Sequence, residues 1–443
     1  MSERPNVDPA DAASPRAVEP LAAAPDVTVE VPGSKSITNR ALVAAALADG
    51  RSRLDGVLFA DDTEAMLGGL RSLGFELEVD RAGARVEIAG GGGHIPATDA
   101  AVDVRLSGTT ARFLAPLIAL GRGRFVLDGG APFRRRPMGP AFAALRHLGV
   151  EVHDLGVPGH LPVRIDADGL AGGRVPVAGD ASSQFLSGLL LAGPATTDGL
   201  TVELTTPLVS ELYVQLTTGT MAAFGATVTR PDPSNFVVPP TGYRATDHRV
   251  EPDASAASYL LAAAAITGGR VRVAGLTADA TQGDAGFAEV LGSMGAEVIV
   301  DDHGTEVRGT GVLHGIEVDL GAMSDVAQTL AAVAVFADSP TRVSGIGFIR
   351  AKETDRIGAV VTELRRCGIE AHEEPDGFVI HPGRPSPTTF ATYDDHRMAM
   401  SFALLGLRVP GIAIADPGCV AKTFPRYFEV LEQLRTPGDH TGN

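Results

Sequence analysis

Leu145-Arg146-His147-Leu148-Gly149-Val150-Glu151-Val152 reads as the end of a helix, a glycine that stops it, and the start of a strand. The glycine takes the position just past the helix, where left-handed backbone is needed and a side chain is strained. The phrase recurs at Leu70-Arg71-Ser72-Leu73-Gly74-Phe75-Glu76-Leu77, Met221-Ala222-Ala223-Phe224-Gly225-Ala226-Thr227-Val228, Leu291-Gly292-Ser293-Met294-Gly295-Ala296-Glu297-Val298 and Leu364-Arg365-Arg366-Cys367-Gly368-Ile369-Glu370-Ala371. A second phrase sets short β-branched strands between glycines: Gly123-Arg124-Phe125-Val126-Leu127-Asp128-Gly129-Gly130 and Gly269-Arg270-Val271-Arg272-Val273-Ala274-Gly275-Leu276. Phrases that return along a chain mark an internal repeat. Repeated helix–strand units that bury helices against sheets predict the α/β class. Hinges are expected near Pro32-Gly33 and from Pro239 to Pro252, where proline, glycine and charge divide a first block of repeats from a second. A cleft between two such halves is the default ligand site.

The bulk properties narrow the function. The chain has 443 residues, enough for two or more domains with full cores. Apolar residues at 44% and charged residues at 21% fit a globular protein. A net charge of −17 argues against duplex nucleic acid as a partner, so an anionic substrate needs a local cluster of cations. Two cysteines, Cys367 and Cys419, give neither a disulfide framework nor a zinc pattern, and they fit the cytoplasm. No apolar run is long enough to span a membrane. Residues 1–25 lack the apolar segment of a signal peptide and are expected to form a disordered tail, as residues 436–443 are expected to form a flexible one.

Cations do gather at turns and helix starts. In Val31-Pro32-Gly33-Ser34-Lys35-Ser36-Ile37-Thr38-Asn39-Arg40, Gly33 permits a turn and Ser34 caps a helix carrying Lys35, Ser36 and Arg40 in its first turns. A helix start of this kind favours an anion. It is not a Walker A loop, because Ser34 separates Gly33 from Lys35. The same stretch is equally read as a capped helix with two solvated cations. Leu106-Ser107-Gly108-Thr109-Thr110-Ala111-Arg112 opens a helix at Phe113 to Leu120, and Gly108 would let backbone approach a ligand. Arg134-Arg135-Arg136-Pro137 puts a fixed arginine before another helix. Ser182-Ser183-Gln184 offers neutral donors, and Asp253 to Tyr259 is its counterpart. Asp325 is either a helix cap or a general base, and Glu353, beside Lys352 and Arg356, could donate a proton. Asp394-Asp395-His396-Arg397 and Lys422-Thr423-Phe424-Pro425 complete the set. Lys35, Arg136, Arg356, Arg397 and Lys422, all at turns or helix starts of an acidic chain, point to polyanionic substrates.

These motifs, from VPGSKSITNRA through GDASSQFLSGLLLA, DASAASYLLAAAAI, KETDRI and DDHRMAM to KTFPRYF, resemble those of the 5-enolpyruvylshikimate-3-phosphate synthase family over about residues 31–430. The resemblance implies a fold of two similar domains, an inverse α/β barrel, each of three βαβαββ units, with the active site in the interdomain cleft. The first domain would span residues 34–250, and the second residues 26–33 plus 251–435. It implies transfer of the enolpyruvyl group of phosphoenolpyruvate to the 5-hydroxyl of shikimate 3-phosphate, through a tetrahedral ketal, with no metal and no organic cofactor. Lys35 matches the lysine that touches both substrates. Ser36, Arg40, Ser182, Ser183, Gln184, Ser210, Tyr213, Asp325 and Lys352 match ligands of shikimate 3-phosphate. Gly108, Arg136, Gln184, Arg356, Arg397 and Lys422 match ligands of phosphoenolpyruvate. Asp325 matches the proton acceptor and Glu353 the donor, with Lys35 and Lys422 as other candidates for protonating the vinyl carbon. His396 either supports the site or serves as a helix-cap histidine. Retained Gly108 implies sensitivity to phosphonate mimics such as glyphosate. Leu106 and Phe348 depart from the family pattern, the first where asparagine is common and the second where some members place a polar ligand. No nucleic acid, no membrane and a monomer are expected.

Three relatives of the same fold remain as rivals, one of them from a different class because it binds without catalysis. The transferase acting on UDP-N-acetylglucosamine would carry Lys-Asn where this chain has Lys35-Ser36, and a cysteine on a mobile loop. A non-catalytic anion-binding relative would not need both Asp325 and Glu353. An RNA-end-processing relative is disfavoured by the acidic charge and the absence of tryptophan.

Overall fold

The computed structural model describes residues 14–435. The chain divides into two compact units, one of residues 32–253 with 280–283, and one of residues 14–31, 254–279 and 284–435. Both are built from one module. In its clearest copy, Asp99–Asp103 runs parallel to Arg122–Asp128, which pairs antiparallel with Val163–Asp168, itself antiparallel to Glu151–Asp154. The helices Gly108–Ala119 and Gly139–His147 fill the two crossings, which makes the unit βαβαββ. The same strand order appears in the sheet of residues 173–238 and in that of residues 317–380.

The repeated phrase explains where these elements end. Gly74, Gly149, Gly225, Gly295 and Gly368 all have φ between 80° and 106°, the left-handed region where glycine alone is unstrained. Strands follow at Glu76–Asp80, Glu151–Asp154, Glu297–Asp301 and Ala371–Glu374. After Gly225 the strand waits until Thr229–Asp232.

Six helices are buried on nearly every side: Lys35–Leu47, Gly108–Ala119 and Ser183–Ala192 in one unit, and Ala254–Thr267, Ala327–Ala334 and His396–Gly406 in the other. Each set of three packs together inside its own unit. Their composition suits this place, because alanine, glycine and serine let helices approach closely and leave no polar face. Every helix of the two sets carries, at or near its start, a residue singled out above.

The N-terminal segment and the unit boundaries depart from expectation. Residues 1–25 were expected to be disordered throughout, yet Arg16–Val18 pairs antiparallel with Ile412–Ile414, completing a sheet with Thr388–Phe390. Val18 is buried against Gly406, whose missing side chain leaves it room. The Arg16 guanidinium lies 4.6 Å from the centre of the Phe428 ring, and Arg435 Nη1 donates to the Pro20 carbonyl at 2.9 Å. Residues 1–13 and the expected tail at 436–443 lie outside the described residues. The boundaries fall at 31/32 and 253/254 rather than 33/34 and 250/251. The reason is local: Ser34 N–H donates to Glu251 O and Asp253 N–H to Pro32 O, both at 2.8 Å, so the two crossing strands are tied together inside the first unit. Within Pro239–Pro252, Tyr243–Arg244 and Asp247–Arg249 pair with Ala48–Asp55, and the second boundary falls just past the segment.

Candidate active site

In the unit of residues 32–253, caps set the site residues. Ser34 Oγ accepts from Ile37 N–H at 3.4 Å, Ser107 Oγ from Thr110 N–H at 3.2 Å, and Ser182 Oγ from Gln184 N–H at 3.3 Å. Lys35, Gly108 and Ser183 are therefore first helical residues, at the positive ends of three buried helices. Lys35 Nζ lies 3.4 Å from Asp62 Oδ2, and its backbone N–H donates to Asp253 Oδ2 at 3.0 Å. Arg40 is 2% exposed and is held by neutral oxygens: Nε donates to Thr217 Oγ1 at 2.8 Å, Nη1 to Ser36 O at 2.8 Å and Nη2 to Tyr213 O at 3.1 Å. Burial without a counter-charge pushes its pKa down to about 10, only partly offset by Tyr213. Gln184 bridges two elements, taking a bond from Arg112 Nη1 at 2.6 Å and giving one to Thr109 Oγ1 at 3.2 Å. Ser210 has a left-handed backbone, φ 55°, at the start of the helix Glu211–Ala223, which carries Tyr213.

Gly108 is crowded by cations. A Cβ there would stand 2.8 Å from Arg112 Nη1 and 3.2 Å from Arg136 Nη1. Arg136 thus converges on the helix start, whereas Arg134 is used up by Asp128, Nη2 to Oδ2 at 2.6 Å. The sequence reading gives Arg112 no ligand role. Its signal was a charged residue inside an otherwise apolar helix.

The other unit gathers both signs of charge. Arg356, also 2% exposed, meets three carboxylates: Nε to Asp395 Oδ2 at 2.7 Å, Nη1 to Asp325 Oδ1 at 3.0 Å and Nη2 to Glu353 Oε2 at 3.0 Å. Burial alone would depress it, but Asp395, Glu353 and Asp325 outweigh burial and hold it above its usual range. Arg397 Nη2 donates to Asp325 Oδ2 at 2.6 Å and Nη1 to Tyr259 Oη at 3.5 Å. Lys422 Nζ donates to Glu353 Oε1 at 2.7 Å. Asp325, Glu353, Arg356, Arg397 and Lys422 thus form one connected network of alternating charge. Burial pushes the Tyr259 hydroxyl up to about 12, which Arg397 only partly offsets. Lys352 Nζ lies 5.9 Å from the centre of the Phe348 ring, so the departure at Phe348 supplies an aromatic face in place of a polar group. Leu106, the other departure, is exposed.

Two roles differ from the sequence reading. His396 is not the cap. Asp395 takes that place, accepting from Arg397 N–H at 2.9 Å, and His396 is a buried first helical residue. Asp395 itself was missed as a partner of Arg356, because a cap and an ion-pair partner look the same in sequence.

A family model described as EPSP synthase (3-phosphoshikimate 1-carboxyvinyltransferase) matches residues 23–431. The chain belongs to the EPSP synthase family. It is 47% identical over 413 residues to a 3-phosphoshikimate 1-carboxyvinyltransferase of Nostoc punctiforme, covering 92% of this chain and 97% of that one. A second relative with this name, marked 2, from Halalkalibacterium halodurans is 41% identical over 92% of both chains. Among solved structures, an EPSP synthase from Acinetobacter baumannii superposes with a TM-score of 0.81 at 28% identity, over 95% of this chain and 98% of that one. The family's fold and the repeated module therefore agree. Among the described residues no helix is long and apolar enough to cross a membrane.

Proposed function

We propose that the chain transfers the enolpyruvyl group of phosphoenolpyruvate to the 5-hydroxyl of shikimate 3-phosphate and releases phosphate, as a step toward chorismate and the aromatic amino acids. The observation that carries the reading is the Arg356 network, where a candidate base, Asp325, and a candidate acid, Glu353, share one guanidinium and are each held by a second cation.

The chemistry needs such a set. Protonation of the vinyl CH₂ makes the neighbouring carbon electrophilic, and the 5-hydroxyl attacks it while losing its proton. The tetrahedral ketal then expels phosphate, and loss of a methyl proton restores the double bond. In this reading Asp325 receives the hydroxyl proton and Glu353 supplies the vinyl proton, with Lys35 and Lys422 as the other candidate donors. In this reading Gly108, Arg136, Gln184, Arg356, Arg397 and Lys422 are ligands of phosphoenolpyruvate. Ser36, Arg40, Ser182, Ser183, Gln184, Ser210, Tyr213 and Lys352 hold shikimate 3-phosphate, and Lys35 touches both substrates. Fixed cations stabilise charge that develops in the transition state. The same reading makes the protein a cytoplasmic monomer.

Phosphate release from phosphoenolpyruvate tests it, with shikimate 3-phosphate or UDP-N-acetylglucosamine as acceptor. Release with shikimate 3-phosphate alone is expected. Release only with the nucleotide sugar would overturn the acceptor, and release with neither would favour a binding protein.

A further inference from the structure

On the hairpin formed by Ala371–Glu374 and Gly377–Ile380, three metal-ligating side chains share one face. Ala371 lies opposite Ile380, and His381 N–H donates to Glu370 O at 2.9 Å, so Glu370 and His381 continue the same register. His372 follows Glu370 by two residues and so points to the same face. Ala371 and Ile369 point inward and are buried, which leaves Glu370 and His372 on the solvent side. Glu370 Oε1 lies 3.0 Å from His372 Nε2 and 3.9 Å from His381 Nε2, and ligand atoms of all three residues fall within 4.8 Å of one another. The strand Ala371–Glu374 is the edge of its sheet, so water and ions reach this face.

A second hairpin makes the contrast. Glu151, His153 and Asp166 form a similar group, but Arg164 lies 3.1 Å and Arg124 3.6 Å from Asp166. Those guanidinium groups already neutralise the carboxylate and would repel a cation. Among the described residues, only the two histidines lie within ion-pairing distance of Glu370. The first hairpin therefore offers two imidazoles and one carboxylate to a cation with no resident positive charge to expel.

We propose that Glu370, His372 and His381 bind one divalent transition-metal ion through the two Nε2 atoms and one carboxylate oxygen. Nitrogen-rich donors select borderline ions such as Zn²⁺, Ni²⁺ or Cu²⁺ over Mg²⁺ and Ca²⁺. Bonds of about 2.0–2.2 Å require the three groups to close by rotation, which exposed side chains permit. The ion would clip an edge strand to its neighbour.

Calorimetric titration of the whole chain with zinc chloride at pH 7.5, after dialysis against a chelator, tests this. One equivalent is expected for the parent protein and for His153→Ala, with affinity falling at least tenfold in His372→Ala and in His381→Ala. Equal affinity in the parent and both hairpin variants would overturn the proposal, as would loss of the equivalent in His153→Ala alone. Zinc X-ray absorption of the parent needs no variant: two imidazole nitrogens are expected, and an all-oxygen shell would overturn the site.

Discussion

Arg40 and Arg356 are equally buried, yet the protein treats their charges in opposite ways. Arg40 sees a hydroxyl and two backbone carbonyls, and burial depresses it. Arg356 sees Asp325, Glu353 and Asp395, and they hold it above its usual range despite burial. The first is a cation with its charge left over, ready for an anion. The second is the centre of a network already close to neutral, where charge is arranged for positioning and proton transfer. Burial of a cation thus says little about its task until its acceptors are known.

The largest expected effect lies at Arg356. Arg356→Met would leave Asp395, wholly buried, and its two carboxylate neighbours without their central partner. Breaking a buried pair from one side costs about 3–5 kcal/mol. Urea unfolding should show a loss of that size together with loss of turnover. A loss no larger than that at Arg40 would erase the distinction between the two residues.

Glu306 inverts the pattern, since one buried carboxylate meets Arg270, Arg272 and Arg308. Burial opposes its ionisation, and Arg270 and Arg308 outweigh burial, so its pKa lies below the ordinary value. A depressed carboxylate contributes stability above its unfolded pKa of about 4.3 and loses it as pH falls through the folded value. Glu306→Gln should cost about 1.5–3 kcal/mol at pH 7, less than Arg356→Met because the three arginines remain partly in water. The gap in melting temperature between parent and variant should narrow below about pH 4. A gap that stays constant would show that packing, not charge, holds Glu306.

At Gly108 two cations of the first unit can be displaced without removing them. Gly108→Ala puts a methyl group 2.8 Å from Arg112 Nη1 and 3.2 Å from Arg136 Nη1, so both guanidinium groups must give way. About tenfold weaker use of phosphoenolpyruvate is expected, equivalent to about 1.4 kcal/mol, with weaker inhibition by glyphosate and little change in unfolding. Unchanged KM and inhibition would mean that these arginines do not meet the donor substrate.

The sequence showed some of this directly and concealed the rest for physical reasons. The repeat was legible because a helix stop needs left-handed backbone, and only glycine supplies it cheaply at Gly74, Gly149, Gly225, Gly295 and Gly368. Helix-start cations such as Lys35 were legible because caps are local. The strand Arg16–Val18 was not, since three residues show no period and their partner, Ile412–Ile414, is nearly the whole chain away. Asp395 was hidden by serving as cap and ion-pair partner at once, and Arg112 by lying within an apolar helix. His372 and His381 read as ordinary surface residues until the hairpin register set them beside Glu370.

The smallest stability effect is expected at Arg40, and it is the sharpest test of the contrast. Arg40→Met removes a buried cation that has no carboxylate to abandon. Its acceptors keep other partners: Thr217 Oγ1 donates to Tyr213 O at 2.9 Å and bonds Ser187 Oγ at 2.8 Å. The guanidinium carbon lies 5.2 Å from the centre of the Phe113 ring, and methionine loses that contact but keeps much of the apolar stem. Stability should therefore stay within about 1 kcal/mol of the parent, since nothing buried is left without a hydrogen bond. Affinity for shikimate 3-phosphate should fall at least tenfold, because the charge left over in the folded protein is what a phosphate would meet. Calorimetric titration with shikimate 3-phosphate beside urea unfolding separates the two. A stable variant with unchanged binding would remove Arg40 from the acceptor site, and a loss of about 3 kcal/mol or more would place it in the same class as Arg356.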